Sequence, residues 1–454
     1  MCGGPTHRDN PKTVIPASEP KSCNVGAIKG SDISDRRLRG NDISDASGTL
    51  LQVIGAGPAG MGLVLALCNR VAAQGRDAES AQRLLDSLMI FEASARPGGN
   101  MSRYRINANT SSPDVVQGIA DGTPFVGVRD RYLEHEEARS DLIFLPRIGE
   151  LMVAPLVQAM VEFLHARLQC GTEIRRIEID ARGFSSYDAD NRLRASSGQL
   201  LFCCGADDKP LDELLVWRDR WEGSARFLMR DNLDGLPPGK RPIVIIGASH
   251  SAFSCAWRLL NDPLYADFAA DREIIILHRR ERIKLRVTPE FARRHRIEFD
   301  PQNDVCPSTG LVFFNGGLRK DAKFLYLDIR DRREQRVRMV PMAEIDEQRE
   351  LLAGAGLILQ ATGFSHRLPR IERDGRALRV GKPTRDGELR DLDSGEIIPG
   401  CFGMGLGFNI LPEREPPGEP GFNGGIHGFQ SYPLAVAPPI IDRLIASPPA
   451  EARH

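Results

Sequence analysis

The sequence lacks several features, and each absence narrows its class. Lys plus Arg (60) nearly cancels Asp plus Glu (61), leaving a formal charge of -1. There is no basic excess of the kind that meets phosphates on a nucleic acid or a membrane surface. No stretch approaches the roughly 18 consecutive apolar residues of a spanning helix. The segment Met1 to Gly48 has no apolar core like that of a secretory signal, and the expected location is cytoplasmic. The nine cysteines include no C-x-x-C pair, which suits reduced thiols better than a disulfide framework, a zinc site or a redox pair. What is present is a 454-residue chain, 41% hydrophobic and 27% charged, able to build more than one core.

The first 48 residues are polar, and two near-copies, Gly30 to Asp35 and Gly40 to Asp45, are too few to stack as repeats. They read as a disordered tail, as does 447–454. Order is expected from Thr49. Leu50 to Ile54 reads as a buried strand, Met61 to Val71 as a helix and Leu88 to Phe91 as a second strand, the βαβ unit of a parallel sheet. Ala154 to Leu168 reads as an amphipathic helix, Glu173 to Ile179 as a strand, and Leu200 to Cys204 as a buried strand. After the breaker Pro237-Pro-Gly239 the pattern restarts. Pro242 to Ile246 is a strand, Gly247 to Ala252 a turn, Phe253 to Leu260 a helix, and Glu273 to Leu277 and Gly356 to Gln360 are strands.

The strongest chemical signal is Gly55-Ala-Gly57-Pro58-Ala59-Gly60, directly after a strand and opening a helix. The first glycine permits the tight turn, the second lets backbone approach a pyrophosphate, and the third lets the helix pack close on the sheet. Glu92, ending the second strand, is placed to accept from ribose hydroxyls. It lies 32 residues after Gly60, and the polar insert Gln74 to Gln82 absorbs the excess over the usual spacing of about 20. Arg96, Gly99, Asn100 and Met101 follow, and an acid followed by a basic residue and two glycines resembles the flavoprotein pattern that wraps the adenosine and then the pyrophosphate of FAD. A plain turn after a strand is the alternative.

The second turn, Gly247-Ala-Ser249-His250-Ser251-Ala252, replaces the second glycine with serine and the third with alanine. Serine still permits close approach and can donate to phosphate. Arg279 and Arg280 stand where the first unit has its acid, which favours the 2′-phosphate of NADPH over NADH. Arg282, Lys284 and Arg286 read as a solvated face. Thr362 and Gly363, in Ala361-Thr-Gly363, and the counterpart Phe202-Cys-Cys204-Gly205-Ala206 resemble the Ala-Thr-Gly turns that pass between the two dinucleotide domains of flavoproteins. The vicinal Cys203 and Cys204 read as two small thiols in a buried strand. The polar stretch Arg103 to Thr110 reads as a loop, with a place facing the flavin as its alternative.

These motifs, with their separation, resemble the class B flavoprotein monooxygenases, and most of all the ornithine/lysine N-hydroxylase group. The similarity spans Leu50 to Leu444. Gly247, Ser251 and Ala252 match the group's second turn, and His427-Gly428 to Val436 is similar to its segment near the flavin. Gly407 lies in Gly403-Met-Gly405-Leu-Gly407, where many flavoproteins carry Gly-Asp. Thr309 to Arg319 lies where the group holds nicotinamide and amine, so Asn315 is carried over as a candidate catalytic residue; Ser249, with His250, would help hold bound NADP+ and is the other candidate, turn residues with no special role being the alternative. The stretch Phe-x-Gly-x-x-x-His of other flavin monooxygenases is missing, with Gly223-Ser-Ala-Arg-Phe instead, and no lysine matches the one that binds an amino acid's carboxylate.

The resemblance implies two Rossmann-like dinucleotide-binding domains in an α/β fold with three-layer sheets, an FAD domain interrupted by an NADPH domain. The expected division is 49–215 and 364–446 for FAD and 216–363 for NADPH. It implies FAD and NADPH as cofactors and oxygen added at flavin C4a and passed to a primary amine. The expected partners are a small amine substrate and O2, with no nucleic acid, no membrane and no metal. Self-association leaves no trace in the sequence. Sulfur or ketone oxygenation, an NAD(P)H-dependent reductase, and a flavin-binding protein with a decayed second site stay open as alternatives.

Overall fold

The computed structural model describes residues 49–209, 211–279, 282–381, 383–384, 386–408 and 430–446. Both terminal tails, Arg280, His427 and the Gly/Pro-rich stretch from Leu411 to Gly425 lie outside the described residues.

Short, wholly apolar runs become central strands because both faces of a parallel sheet are covered. Leu51–Ile54 is fully buried and pairs in parallel with Leu88–Glu92 on one side and Gln199–Phe202 on the other. Leu168–Cys170 extends this sheet past Leu88–Glu92, and Ile397–Gly403 joins Gln199–Phe202 in parallel. Val380–Gly381 and Glu388–Asp391 complete seven strands at the antiparallel end. A second sheet of five parallel strands runs Val337–Pro341, Ile274–His278, Ile243–Ile246, Leu357–Gln360 and Trp221–Gly223. The first sheet thus takes its strands from both sides of the segment that builds the second.

Two antiparallel strands, Ala206–Asp208 and Phe364–His366, form where the chain leaves the first sheet and where it returns. A further five-stranded sheet holds Ile174–Asp180 between Arg370–Arg373 and the meander Gly183–Asp188, Leu193–Ser197. Its strands alternate buried and exposed residues, as expected of a sheet wet on one face.

Several expected boundaries move. The first helix is Pro58–Ala72 and the second is His250–Asn261, so His250, Ser251 and Ala252 belong to a helix rather than a turn. The strand expected through Cys204 ends at Phe202, which puts both vicinal cysteines in the turn beyond it, Cys204 only partly buried. The expected amphipathic helix is the end of a longer one: Leu145–Ile148, a π-type turn over Gly149–Val153, then Ala154–Leu164. The segment Leu145–Arg167 is long and apolar enough, by length and composition, to cross a membrane, which the sequence reading did not anticipate. Its Leu156, Met160 and Leu164 are buried in the same core as Leu51 and Ile90.

Candidate functional site

At the first turn the backbone itself demands glycine. Gly55 has φ +107°, and a Cβ there would stand 2.4 Å from the carbonyl oxygen of Cys203. A Cβ on Gly60 would stand 2.1 Å from the carbonyl oxygen of Gly55, so only glycine lets the helix sit this close to the strand. Gly57 differs. A Cβ there would meet only the Gly99 Cα, at 3.7 Å, so packing leaves room for a side chain. Space kept free over the N-terminus of a 15-residue helix, with Pro58 at its first turn, fits the pyrophosphate of a dinucleotide.

Glu92 is buried behind this turn, and its oxygens accept from the backbone N–H of Ala56 at 2.8 Å and of Ser94 at 2.9 Å. It therefore shapes the loop as well as offering its remaining lone pairs to a ribose. The Gly98 N–H donates to the Ala56 carbonyl at 2.8 Å, which folds the Arg96 to Met101 turn against the glycine loop. Arg96, Gly99 and Asn100 are exposed there and Met101 is buried. Gly405, with φ +110°, approaches from the far end of the chain, its notional Cβ 3.0 Å from the Ala59 Cβ. Gly407, φ +95°, packs on His366, whose ring stacks on Phe408 at 5.1 Å. The first strand, the Arg96 turn and Gly405 thus converge on one helix N-terminus.

The second turn repeats the first in part. Gly247 has φ +124°, and a Cβ would stand 2.2 Å from the Ala361 carbonyl oxygen. Ser249 precedes the helix His250–Asn261 and its hydroxyl makes no capping hydrogen bond, which suits a donor kept for phosphate. Ala252 is fully buried, so this helix stands far enough from the sheet to admit a methyl group. His250 is not an idle turn residue: its Nε2 accepts from the Arg319 N–H at 2.9 Å. That bond ties the turn to the loop carrying Asn315, which is partly buried.

Arg279 leaves the strand Ile274–His278 exposed, its guanidinium 3.5 Å from Glu344. A cavity of about 950 Å³ begins at the next residue back, His278, lined by Arg282, Arg296, Arg330, Arg332 and Arg338 and also by Glu298 and Glu334; Arg279 itself does not line it. The solvated face expected of 282–286 is instead half inside. Arg282 pairs at 3.1 Å with Asp304, which is buried, and its guanidinium lies 5.0 Å from the Phe313 ring centre. Lys284 covers the same ring at 5.1 Å and Arg286 covers Phe314 at 4.0 Å. Ile283, Leu285 and Val287 alternate with them into the core. These cations fasten the 304–319 loop to the sheet.

Thr362 is exposed and accepts from Gln360 Nε2 at 2.8 Å, while Gly363, φ +103°, turns the chain back toward Lys209, whose N–H donates to its carbonyl at 3.0 Å. Burial pushes the Cys204 thiol up to about 12 and raises Cys203 as well, so neither is a thiolate at neutral pH. All seven cysteines among the described residues are free. Asp208, Asp321, Lys320 and Asp141, which carry no motif, make contacts of their own, as does Asn107 of the polar stretch. Asp208, its carboxyl raised by burial, accepts from Ser224 Oγ at 2.8 Å and the Ala225 N–H at 3.1 Å. It accounts for Gly223, where a Cβ would collide with its carboxylate. Asn107, in the stretch read as a polar loop, donates to Asp321 at 2.8 Å, and Lys320 pairs with Asp141 at 2.5 Å. Asp321 carries no sequence signal beyond its place six residues after Asn315.

Two parallel sheets, each with a glycine turn feeding a helix N-terminus, and a first sheet resumed after the second, define a two-dinucleotide flavoprotein fold. Comparisons with known proteins find the same fold in N-hydroxylating enzymes. The chain is 25% identical over 434 residues to the CMP-5'-(3-aminopropyl)phosphonate hydroxylase of Streptomyces rubellomurinus, covering 87% of this chain and 97% of that protein. Among solved structures it is similar to the reduced ornithine hydroxylase of Pseudomonas aeruginosa, with a TM-score of 0.54, 15% identity, and coverage of 87% and 98% of the two chains. It is equally similar to the L-lysine 6-monooxygenase of Pseudomonas syringae, with a TM-score of 0.53, 14% identity, and coverage of 88% and 100%. No protein-family model matches the chain. Its fold is that of the N-hydroxylating flavin monooxygenases, the group its motifs resemble.

Proposed function

We propose that the protein is an FAD-dependent monooxygenase that uses NADPH and O2 to hydroxylate the nitrogen of a primary amine in a biosynthetic pathway. The observation that supports this reading is the join between the second turn and the Asn315 loop, in which His250 Nε2 accepts from the Arg319 N–H at 2.9 Å. The hydroxylase of Streptomyces rubellomurinus, whose named substrate bears an aminopropyl group, supports an amine as the acceptor.

In this reading 49–215 and 364–446 hold FAD and 216–363 holds NADPH. Gly55, Gly57 and Gly60 leave the helix N–H groups open to the FAD pyrophosphate, and Glu92 takes the ribose. Ser249 and the start of the second helix hold the NADPH pyrophosphate, and Arg279 its 2′-phosphate. FAD, when bound, supplies oxygen activation and NADPH the hydride. Asn315 then orients the amine, and the residues around it keep water away from the transfer.

The test is NADPH consumption in air by the purified yellow protein, with peroxide assayed alongside. The amines are L-ornithine, L-lysine, cadaverine, putrescine and 3-aminopropylphosphonate, with a thioether and a ketone for contrast. One amine that speeds oxidation while peroxide stays low is the expected result. Acceleration by the thioether or the ketone alone would overturn the nitrogen assignment. A flavin that NADPH never reduces would overturn the second site.

A further inference from the structure

The stretch after Asn315 is held from both sides of the seam. The Arg319 N–H donates to His250 on the second turn, and two residues later Asp321 Oδ2 accepts from Asn107 Nδ2 at 2.8 Å. Asn107 follows Met101 on the first-sheet side and bridges to Phe144. Lys320 reaches the same side, donating to the Asp141 carbonyl at 3.0 Å and pairing with its carboxylate. The reactive ends of two dinucleotides must meet between the sheets that bind them, and Asp321 stands in that seam.

The charges around Asp321 are already spoken for. Lys320, its neighbour on the helix Lys320–Arg330, is committed to Asp141, the charged group on the facing segment. Lys323, one turn on, lies over the rings of Phe291 at 5.2 Å and Phe324 at 4.7 Å. Among the described residues no cation pairs with Asp321, and its one hydrogen-bond partner is Asn107. Burial raises its carboxyl, against the lowering effects of Asn107 and Lys320. A partly buried carboxylate with one amide donor keeps free acceptor positions for a charged donor.

We propose that Asp321 receives the ammonium group of the amine substrate and takes its proton, with Asn107 holding the carboxylate in place. The inference rests on the amine-oxygenase reading above. A protonated amine has no lone pair to offer oxygen. One N–H bond breaks, its proton passes to an Asp321 carboxylate oxygen, and the electron pair stays on nitrogen, free to bond oxygen. The step consumes no oxidant. Asp321 thereby selects for amines that are cationic in solution.

Asp321→Asn tests this, because an amide oxygen still accepts from Asn107. With the best amine of the panel, kcat/KM at pH 7.5 should fall by a factor on the order of ten to a hundred, chiefly through KM. For the wild type, kcat/KM should level off once the Asp321 carboxyl is ionised. For the variant it should climb about tenfold per pH unit toward the amine's own value, roughly 10 for an alkylamine. Asp321→Glu should restore part of the loss. Flavin content and melting temperature report on folding. Because the native carboxyl is raised, the folded chain binds more protons than the unfolded chain between the ordinary and raised values. The stability contributed by Asp321 therefore falls as pH rises through that window, and the difference in stability between the wild type and the Asn variant should carry that slope.

An aspartate that serves only the helix start would give a lower melting temperature with parallel pH profiles and an unchanged KM, which overturns the proposal. If the wild type responds to an amine and the variant's profile follows it, this inference alone fails. If no amine of the panel accelerates the wild type, the reading beneath it fails too.

Discussion

The two dinucleotide turns keep glycine in one shared place and part company in two others. Gly55 and Gly247 both have strongly positive φ, and both press on a carbonyl oxygen of the neighbouring strand's end, at 2.4 and 2.2 Å from a notional Cβ. Backbone geometry allows no other residue there. The second and third positions are glycine at the first turn, but Ser249 and Ala252 at the second. Gly60 is forced because a Cβ there would stand 2.1 Å from the Gly55 carbonyl oxygen, whereas the second helix buries an alanine at the same position. Gly57 is forced by nothing in the protein. Glycine is thus required by the chain at Gly55, Gly60 and Gly247 and leaves open space at Gly57, and the second turn carries Ser249 and Ala252 where the first has glycines.

The sharpest way to break this comparison is to strain the shared position in each turn. Gly55→Ala and Gly247→Ala should each cost on the order of 3 kcal/mol in stability, from the left-handed backbone and the collision. Absorbance should show that Gly55→Ala loses its flavin. Gly247→Ala should keep a flavin that NADPH reduces slowly. Loss of flavin from both would show that the turns do not serve separate cofactors. Gly57→Val probes the reserved position. Its unfolding free energy without flavin should match the wild type to within about 0.5 kcal/mol, while FAD affinity falls by tenfold or more. A variant that keeps FAD would show that nothing approaches Gly57.

Smaller effects distinguish the second site. Arg279→Ala should weaken NADPH about tenfold and NADH little, since only the former carries a 2′-phosphate for the guanidinium. Equal losses in a titration of the two would remove Arg279 from that role. Ser249→Ala should weaken both by a few-fold, the worth of one hydrogen bond. Cys204→Ser should leave amine-dependent NADPH oxidation within about twofold of the wild type, because a thiol pushed up to about 12 is protonated at neutral pH. A large loss there would favour the disulfide-reductase alternative.

The sequence made the two turns legible because their chemistry is local. A strand, a glycine with no room for Cβ and a helix lie within a dozen residues, and their periods and spacings show without a partner. The same locality made Glu92 readable as the acid closing the first unit. What could not be read depends on chain segments far apart. Asn107 and Asp321 are separated by 214 positions, and neither sits in a motif. Lys284 and Arg286 look like a solvated run until Phe313 and Phe314 fold over them. The meander Gly183–Asp188 and Leu193–Ser197 is half polar and broken by short turns, so its strands gave little period. Helix starts shifted by several residues at the second turn because Ser249, His250 and Ser251 are turn formers by type, and only the sheet behind them continues the helix.

If both turns serve one oxygen transfer to nitrogen, hydroxylamine formed and NADPH consumed are coupled. The direct measurement is their ratio, with the most active amine of the panel and with peroxide counted. The expected ratio is near one with little peroxide. A ratio near zero, with peroxide matching the NADPH consumed, would contradict it.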